Sequence, residues 1–267
     1  MTARASIGVF GGSGFQSLFS DAEEIRIETP YGDPSDVISV AEIGGRSVAF
    51  LPRHGRGHRL PPHRVPYRAN LWAMKELGVQ RILAPCAAGS LDPTVGPGAM
   101  VLVDQFVDRT SGRSQTFYDG PGATHVAGAD PYCPDLRALL HKVGIELGLD
   151  IRAAGTMVVV EGPRFSTRAE SSWFRSMGWQ VINMTGYPEV ILARELGLCY
   201  ASIALITDYD TGMDHDPGLL PVTASQILEA FSTNSERLRQ LILATIPEIG
   251  EPSATDPCPR ALHGATL

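Results

Sequence analysis

Four aspartates and one histidine (Asp208, Asp210, Asp214, His215 and Asp216) fall within nine residues, directly after the apolar run CYASIALI at 199–206. Residues two apart in an extended segment point the same way, so Asp208 and Asp210 can face one ligand. A metal site is one use for them, and DYDTGMD starts like a calcium loop. Two positions fail that pattern. Gly212 stands where the fifth residue must be Asp or Asn, and Leu219 where the twelfth must be Glu. No metal is expected.

A second cluster is basic. Arg53, His54, Arg56, His58, Arg59, His63 and Arg64 lie within twelve residues, broken by Gly55, Gly57, Pro61 and Pro62. Those breakers make a loop, not the solvated face of a helix. A guanidinium fork suits phosphate oxygens; the plain alternative is a surface or subunit contact. A third candidate is Gly8-x-x-Gly11-x-x-Gly14. It could be a dinucleotide fingerprint, but Pro30 interrupts the region behind it and no Tyr-x-x-x-Lys pair exists. A small anion site, with the Ser13 hydroxyl beside backbone N–H groups, fits better than a dehydrogenase.

The elements that must hold these groups alternate. Strands are predicted at 6–10, 37–41, 47–51, 81–86, 100–103, 156–160, 179–183 and 199–206. Helices are predicted at 67–77, 136–147, 168–177, 189–196 and 222–246, and a long loop over 109–134. Several strands are apolar throughout. The fold class is therefore α/β, a single domain with a twisted mixed β-sheet flanked by helices on both sides. The domain is placed at 1–251, with a loosely ordered tail at 252–267. In such folds ligands sit at the C-terminal ends of strands, here the ends near Gly11, Cys86, Val160, Asn183 and Thr207. The formal charge of -7 argues against nucleic acid as a partner. No apolar run approaches a membrane span. No two of Cys86, Cys133, Cys199 and Cys258 form a C-x-x-C pair, which argues against zinc and for a reduced, cytoplasmic protein.

Long blocks now identify a relationship. IGVFGGSGF, RHGRGH, YRANLWAMKELG, CAAGSL, EGPRFSTRAES and INMTGYPEVILARELGLCYASIALITDYD occur in one order. The chain resembles the trimeric purine nucleoside phosphorylases, most closely the 5'-methylthioadenosine phosphorylases. The resemblance implies attack of orthophosphate on C1' of a purine nucleoside, release of the base, and no cofactor. It implies a homotrimer with sites shared between subunits. It places phosphate on Ser13, Arg53, His54, Cys86, Ala87 and Thr185, with Cys86 standing where close relatives carry threonine. It places Met184 against the ribose, Phe165 on a face of the purine, and Ala88, Gly89 and Asn183 around the base. Asp208 and Asp210 become the groups that read and protonate the purine, with Asp208 favouring 6-aminopurines. Ala224, Ile227 and Leu228 line the 5' end. His125 is lent to the neighbouring subunit, and Leu262 or Leu267 is a candidate to close the 5' pocket. Asp214, His215 and Asp216 form a polar loop over the site. The leading expectation is phosphorolysis of methylthioadenosine. Phosphorylases of ordinary adenosine or 6-oxopurine nucleosides, and a non-catalytic nucleoside or phosphate sensor on the same fold, are the alternatives.

Overall fold

In the two long central strands, alternate residues feed two different apolar layers. The computed structural model describes residues 4–11, 22–211, 223–251, 256 and 258–266. Its strands are β1 (Ile7–Gly11), β2 (Glu23–Ile25), β3 (Ile38–Ile43), β4 (Arg46–Pro52), β5 (Arg81–Ser90), β6 (Met100–Leu102), β7 (Gln105–Arg109), β8 (Ile151–Arg152), β9 (Thr156–Val160), β10 (Val181–Asn183) and β11 (Cys199–Asp208). Its helices are α1 (Tyr67–Glu76), α2 (Pro134–Glu146), α3 (Arg168–Ser176), α4 (Gly186–Glu195) and α5 (Ala224–Glu248). Ile82, Ala84, Ala204 and Ile206 join Leu71, Met74 and Leu192 in the layer under α1 and α4. Leu83, Ile203 and Leu205 join Leu140, Leu238 and Ile242 in the layer under α2 and α5. A period of two, covered on both faces, is why these strands read as unbroken apolar runs.

The strands run in the order β2-β3-β4-β1-β5-β10-β9-β7; β11 branches from β5, β6 pairs with β11, and β8 pairs with β6. β1 is parallel to β4 and β5, and β11 is parallel to β5, whereas β10 is antiparallel to β5. The sheet is mixed, as expected. The β3–β4 hairpin turns at Gly44 and Gly45, both at positive φ, where glycine is the least strained residue. Thr167 and Glu170 form a capping box on α3, and Thr223 and Gln226 another on α5.

Two differences from the predicted elements matter for the site. β5 does not stop at Cys86 but runs to Ser90, because Gly89 and Ser90 pair with β10 while Cys86 to Gly89 pair with β11. Small residues there let three strands meet. α4 starts at Gly186, ahead of the predicted 189. β2 and β8, three and two residues long, carry too few residues to give a period, and β7 is not among the predicted strands. Within the segment predicted as a loose tail, two of the described residues 258–266 are buried and five are exposed. Cys258 is buried, Ala265 accepts a bond from the His125 N–H at 2.8 Å, and Thr266 bridges to Thr124. Among the described residues no helix is long and apolar enough to cross a membrane.

Candidate active site

Five strand ends converge on one cavity of about 470 Å³. β5 brings Cys86, Ala87, Ala88 and Gly89; β10 and its turn bring Asn183, Met184 and Thr185; β11 brings Asp208, with Asp210 just beyond. The segment after β4 brings Arg53 and His54, and the segment after β9 brings Phe165. The first turns of α5 add Ala224 and Ile227. Fourteen of the predicted site residues thus line one hollow, as an open α/β sheet requires of its C-terminal edge.

Both acids are buried. Thr207 Oγ1 donates to Asp208 Oδ2 at 2.7 Å, and the Asp210 N–H donates to Asp208 Oδ1 at 2.7 Å. Burial raises the Asp208 pKa, and those two bonds oppose the rise. Asp210 is different. Its Oδ2 is buried with no hydrogen-bond partner among the described residues. Burial raises its pKa, the Ser171 hydroxyl opposes this, and the Asp208 charge adds to it. Its φ of 53° is left-handed, an uncommon conformation that concentrates at working sites. Gly89 makes the approach of both acids feasible. A Cβ there would lie 3.1 Å from Asp208 Oδ1 and 3.0 Å from Ile182 Cγ2.

The basic end is built on an ion pair. Arg53 donates through Nε and Nη2 to both oxygens of Glu189 at 2.7 and 2.8 Å, and through Nη1 to the Pro85 carbonyl at 3.0 Å. The Tyr200 hydroxyl donates to the same Glu189 at 2.6 Å. Burial works against the guanidinium charge, but Glu189 more than offsets it and holds the pKa above its usual value. The Arg53 N–H donates to the Gly11 carbonyl at 3.0 Å, so the residue stands beside the start of the glycine loop. His54 Nδ1 lies 2.8 Å from the Leu60 carbonyl and its ring stacks on His58 at 4.2 Å. Burial pushes its pKa down to about 4, so the ring is neutral at pH 7. Burial pushes the Cys86 thiol up to about 11, leaving a weak S–H donor beside Ser202.

Between the ends, Asn183 is a bracket. Its Oδ1 accepts the N–H groups of Thr185 and Gly186 at 2.6 and 2.7 Å, and its Nδ2 donates to the Ala87 carbonyl at 3.2 Å. That fixes the Thr185 hydroxyl at the start of α4. Met184 is held by its carbonyl, which accepts from Arg113 at 3.0 Å.

Some predicted residues fall elsewhere. Ser13, Asp214, His215, Asp216 and Leu267 lie outside the described residues, as does the Leu228 side chain. His125 is exposed and does not line this chain's cavity. Leu262 packs near Gly197, also away from it. Of the basic loop, His58 and Arg59 join the cavity, whereas Arg56 pairs with Glu24 and Asp36 at the surface. His63 and Arg64 line a separate polar hollow of about 540 Å³. Sequence reasoning missed Glu189 and Phe231, and placed Thr207 only at a strand end, with no role. Phe231 follows Ile227 by one helical turn, so helical spacing could have found it. Glu189 gave one signal, a carboxylate set in the apolar run of α4.

The chain is similar to well-described proteins along almost its whole length. It is 53% identical over 244 residues to an S-methyl-5'-thioadenosine phosphorylase of Mycolicibacterium smegmatis, covering 91% of each chain. It is 50% identical over 272 residues to a purine nucleoside phosphorylase of Streptomyces coelicolor, covering 98% of this chain and 95% of that one. Its fold matches methylthioadenosine phosphorylase from Schistosoma mansoni in complex with adenine, with a TM-score of 0.91, 36% identity and 98% of both chains covered. Residues 6–247 match the phosphorylase superfamily. The chain belongs to that superfamily, a family of α/β enzymes, and its cavity is where that chemistry must be sought.

Proposed function

We propose that this chain is a 5'-methylthioadenosine phosphorylase, a pentosyltransferase that converts methylthioadenosine and orthophosphate into adenine and 5-methylthioribose 1-phosphate. The observation that carries this reading is the pair of buried carboxylates, Asp208 and Asp210, at one end of a cavity whose other end is cationic. Asp208 already accepts two hydrogen bonds, so it stays the more anionic of the two and accepts from the exocyclic amine of adenine. Asp210, with an unpartnered oxygen, carries the proton and donates it to N7 as the N9–C1' bond breaks. Phosphate lies against Arg53, His54, Thr185 and the Cys86–Ala87 backbone, with Ser13 closing over it. It attacks C1' from the face opposite the base. Little covalent work falls to the protein; positioning and charge placement lower the barrier. Met184 supports the ribose, Phe165 covers the purine, and Ala224, Ile227 and Phe231 take the methylthio group. The protein works as a cytoplasmic homotrimer in which His125 serves the neighbouring site.

The test offers methylthioadenosine, adenosine, methylthioinosine, inosine and guanosine, each with and without phosphate, and measures free base. Phosphate-dependent release, fastest from methylthioadenosine, is expected. No phosphate-dependent release from any of them would sink the enzyme reading. Faster cleavage of inosine would instead favour an ordinary purine nucleoside phosphorylase, the activity named for the Streptomyces relative. Ala224, exposed and small at the mouth of the cavity, is the local feature that favours this second reading. Asp208→Asn replaces an acceptor with a donor and should move preference toward 6-oxopurines. An unchanged preference would show that Asp208 does not read the base.

A further inference from the structure

Three of the four cysteines meet at the other end of β11, about 30 Å along the strand from Asp208 and roughly 13 Å from Ile203, which pairs with the cavity-lining Pro85. Cys133 is the residue before α2, Cys199 opens β11, and Cys258 lies in the C-terminal segment. All three are buried, at no more than 3% exposed, and their Sγ atoms lie within 4.8 Å of one another. The Cys133 N–H donates to the Tyr200 carbonyl at 2.8 Å, which fixes Cys133 beside Cys199. Their sequence spacing argued against zinc; the fold gathers them from three distant segments.

Buried cysteines often pack as small hydrophobes, and these belong to the layer under α2 and α5. Packing alone does not call for three sulfurs in mutual contact. With metal–sulfur bonds of about 2.3 Å, a three-coordinate thiolate site has sulfur–sulfur edges of roughly 4 Å. Among the described residues no His, Asp or Glu joins the group. Zinc would lack its fourth ligand, and burial withholds a water to supply it. Copper(I) is matched by soft thiolates alone.

We propose that Cys133, Cys199 and Cys258 form a buried thiolate site for a single copper(I)-class ion. Thiol protons leave to solvent as the ion enters. The excess negative charge has two neighbours to offset it. Cys133 stands at the N-terminus of a 13-residue helix, whose dipole favours a thiolate, and the Arg194 guanidinium lies near enough to act on Cys258. The ion ties the C-terminal segment to the sheet. Through Ala265 and Thr266 it also steadies Thr124 and His125 in the long loop. The proposal does not depend on the nucleoside reading.

The test uses the full chain, reduced and handled without oxygen, titrated with copper(I) held by a chromophoric chelator. Uptake of one equivalent is expected, with X-ray absorption reporting three sulfurs at about 2.3 Å. Thermal unfolding should rise by about 5 °C or more on loading. Cys258→Ser should weaken binding at least tenfold by losing one of three ligands, while Cys86→Ser binds as before. If a variant fails to fold, the absorption spectrum of the unmodified protein still decides. Failure to take copper(I) from the chelator overturns the proposal. So does an ion with nitrogen or oxygen in its shell, or zinc bound in preference to copper(I).

Discussion

The two ends of the cavity solve the problem of buried charge in opposite ways. At the basic end Arg53 is paired through three of its five N–H groups, which leaves two for an anion. Glu189 takes two of its N–H groups, Pro85 a third, and Tyr200 steadies Glu189. At the acidic end no ion pair holds Asp208 or Asp210 among the described residues, although the Arg175 charge acts on Asp210, and Asp210 keeps an oxygen without a hydrogen-bond partner among them. The pairing keeps charge on the guanidinium at every working pH. The lack of pairing lets burial lift both acids, so that a proton can be held and given. In the proposed reading one end holds an anion and the other moves a proton. A buried pair is costly to break, whereas an unpartnered acid is costly to keep.

Asp210→Asn attacks the end that moves the proton, and should show the largest effect. Loss of a general acid lowers kcat by roughly 10²–10⁴-fold. Stability should hold or rise, because the substitution removes a buried carboxylate with an unpartnered oxygen. In the unmodified enzyme the raised pKa keeps the carboxyl protonated to higher pH, so kcat is full below that pKa and falls as pH climbs through it. The variant should lose that alkaline limb. A kcat within tenfold of the parent, with the limb intact, would remove Asp210 from the chemistry.

Glu189→Gln attacks the other end and should invert the pattern. It leaves Arg53 as a buried cation without its countercharge, which costs about 3–5 kcal/mol of stability. Denaturant unfolding reads that cost. The KM for phosphate should rise more than kcat falls, since the Arg53 fork loses its anchor. An unfolding midpoint unmoved by the change would mean that the ion pair does not hold this end together.

His54 tests the basic end by pH. Its folded pKa is about 4 against an ordinary value of 6.5, with burial as the main cause. Above pH 6.5 neither state binds the proton and stability is unaffected. As pH falls from 6.5 toward 4 the unfolded chain takes up a proton that the folded chain refuses, so stability declines. Allowing for its partial exposure, the loss is about 2 kcal/mol near pH 4.5. His54→Asn should unfold with a flatter pH dependence across that window. Equal slopes for the two proteins would refute the assignment.

The same contrast explains what the sequence could and could not say. Asp208 and Asp210 were legible because they lie two apart beyond an apolar strand, a local pattern. Arg53 was legible by composition, but its partner Glu189 was not, because that pair spans 136 residues and depends on how α4 docks. Asn183 was placed near the base, yet its amide is engaged in fixing Thr185. A motif marks the position but not which atoms are free. The continuation of β5 to Ser90 was hidden because small residues gave no period; its register comes from β10 and β11. The three-cysteine cluster had no sequence signal at all, since its members approach only across the folded sheet.

The smallest effect should come where neither charge scheme reaches, at the start of α5. Ile227 lines the cavity together with Ala224, and Phe231 sits one turn further on. In the proposed reading these residues meet the methylthio group, and an apolar contact of that size is worth roughly 1–3 kcal/mol of discrimination. Ile227→Ala should therefore lower kcat/KM for methylthioadenosine by about tenfold and leave that for adenosine within about threefold. The acids and Arg53 lie on other elements, so the pH profile and the phosphate KM should not move. If both nucleosides lose equally, Ile227 supports the cavity as a whole and the 5' group is read elsewhere. If only adenosine suffers, the helix faces the wrong part of the substrate, and the assignment of its first turns to the 5' end falls.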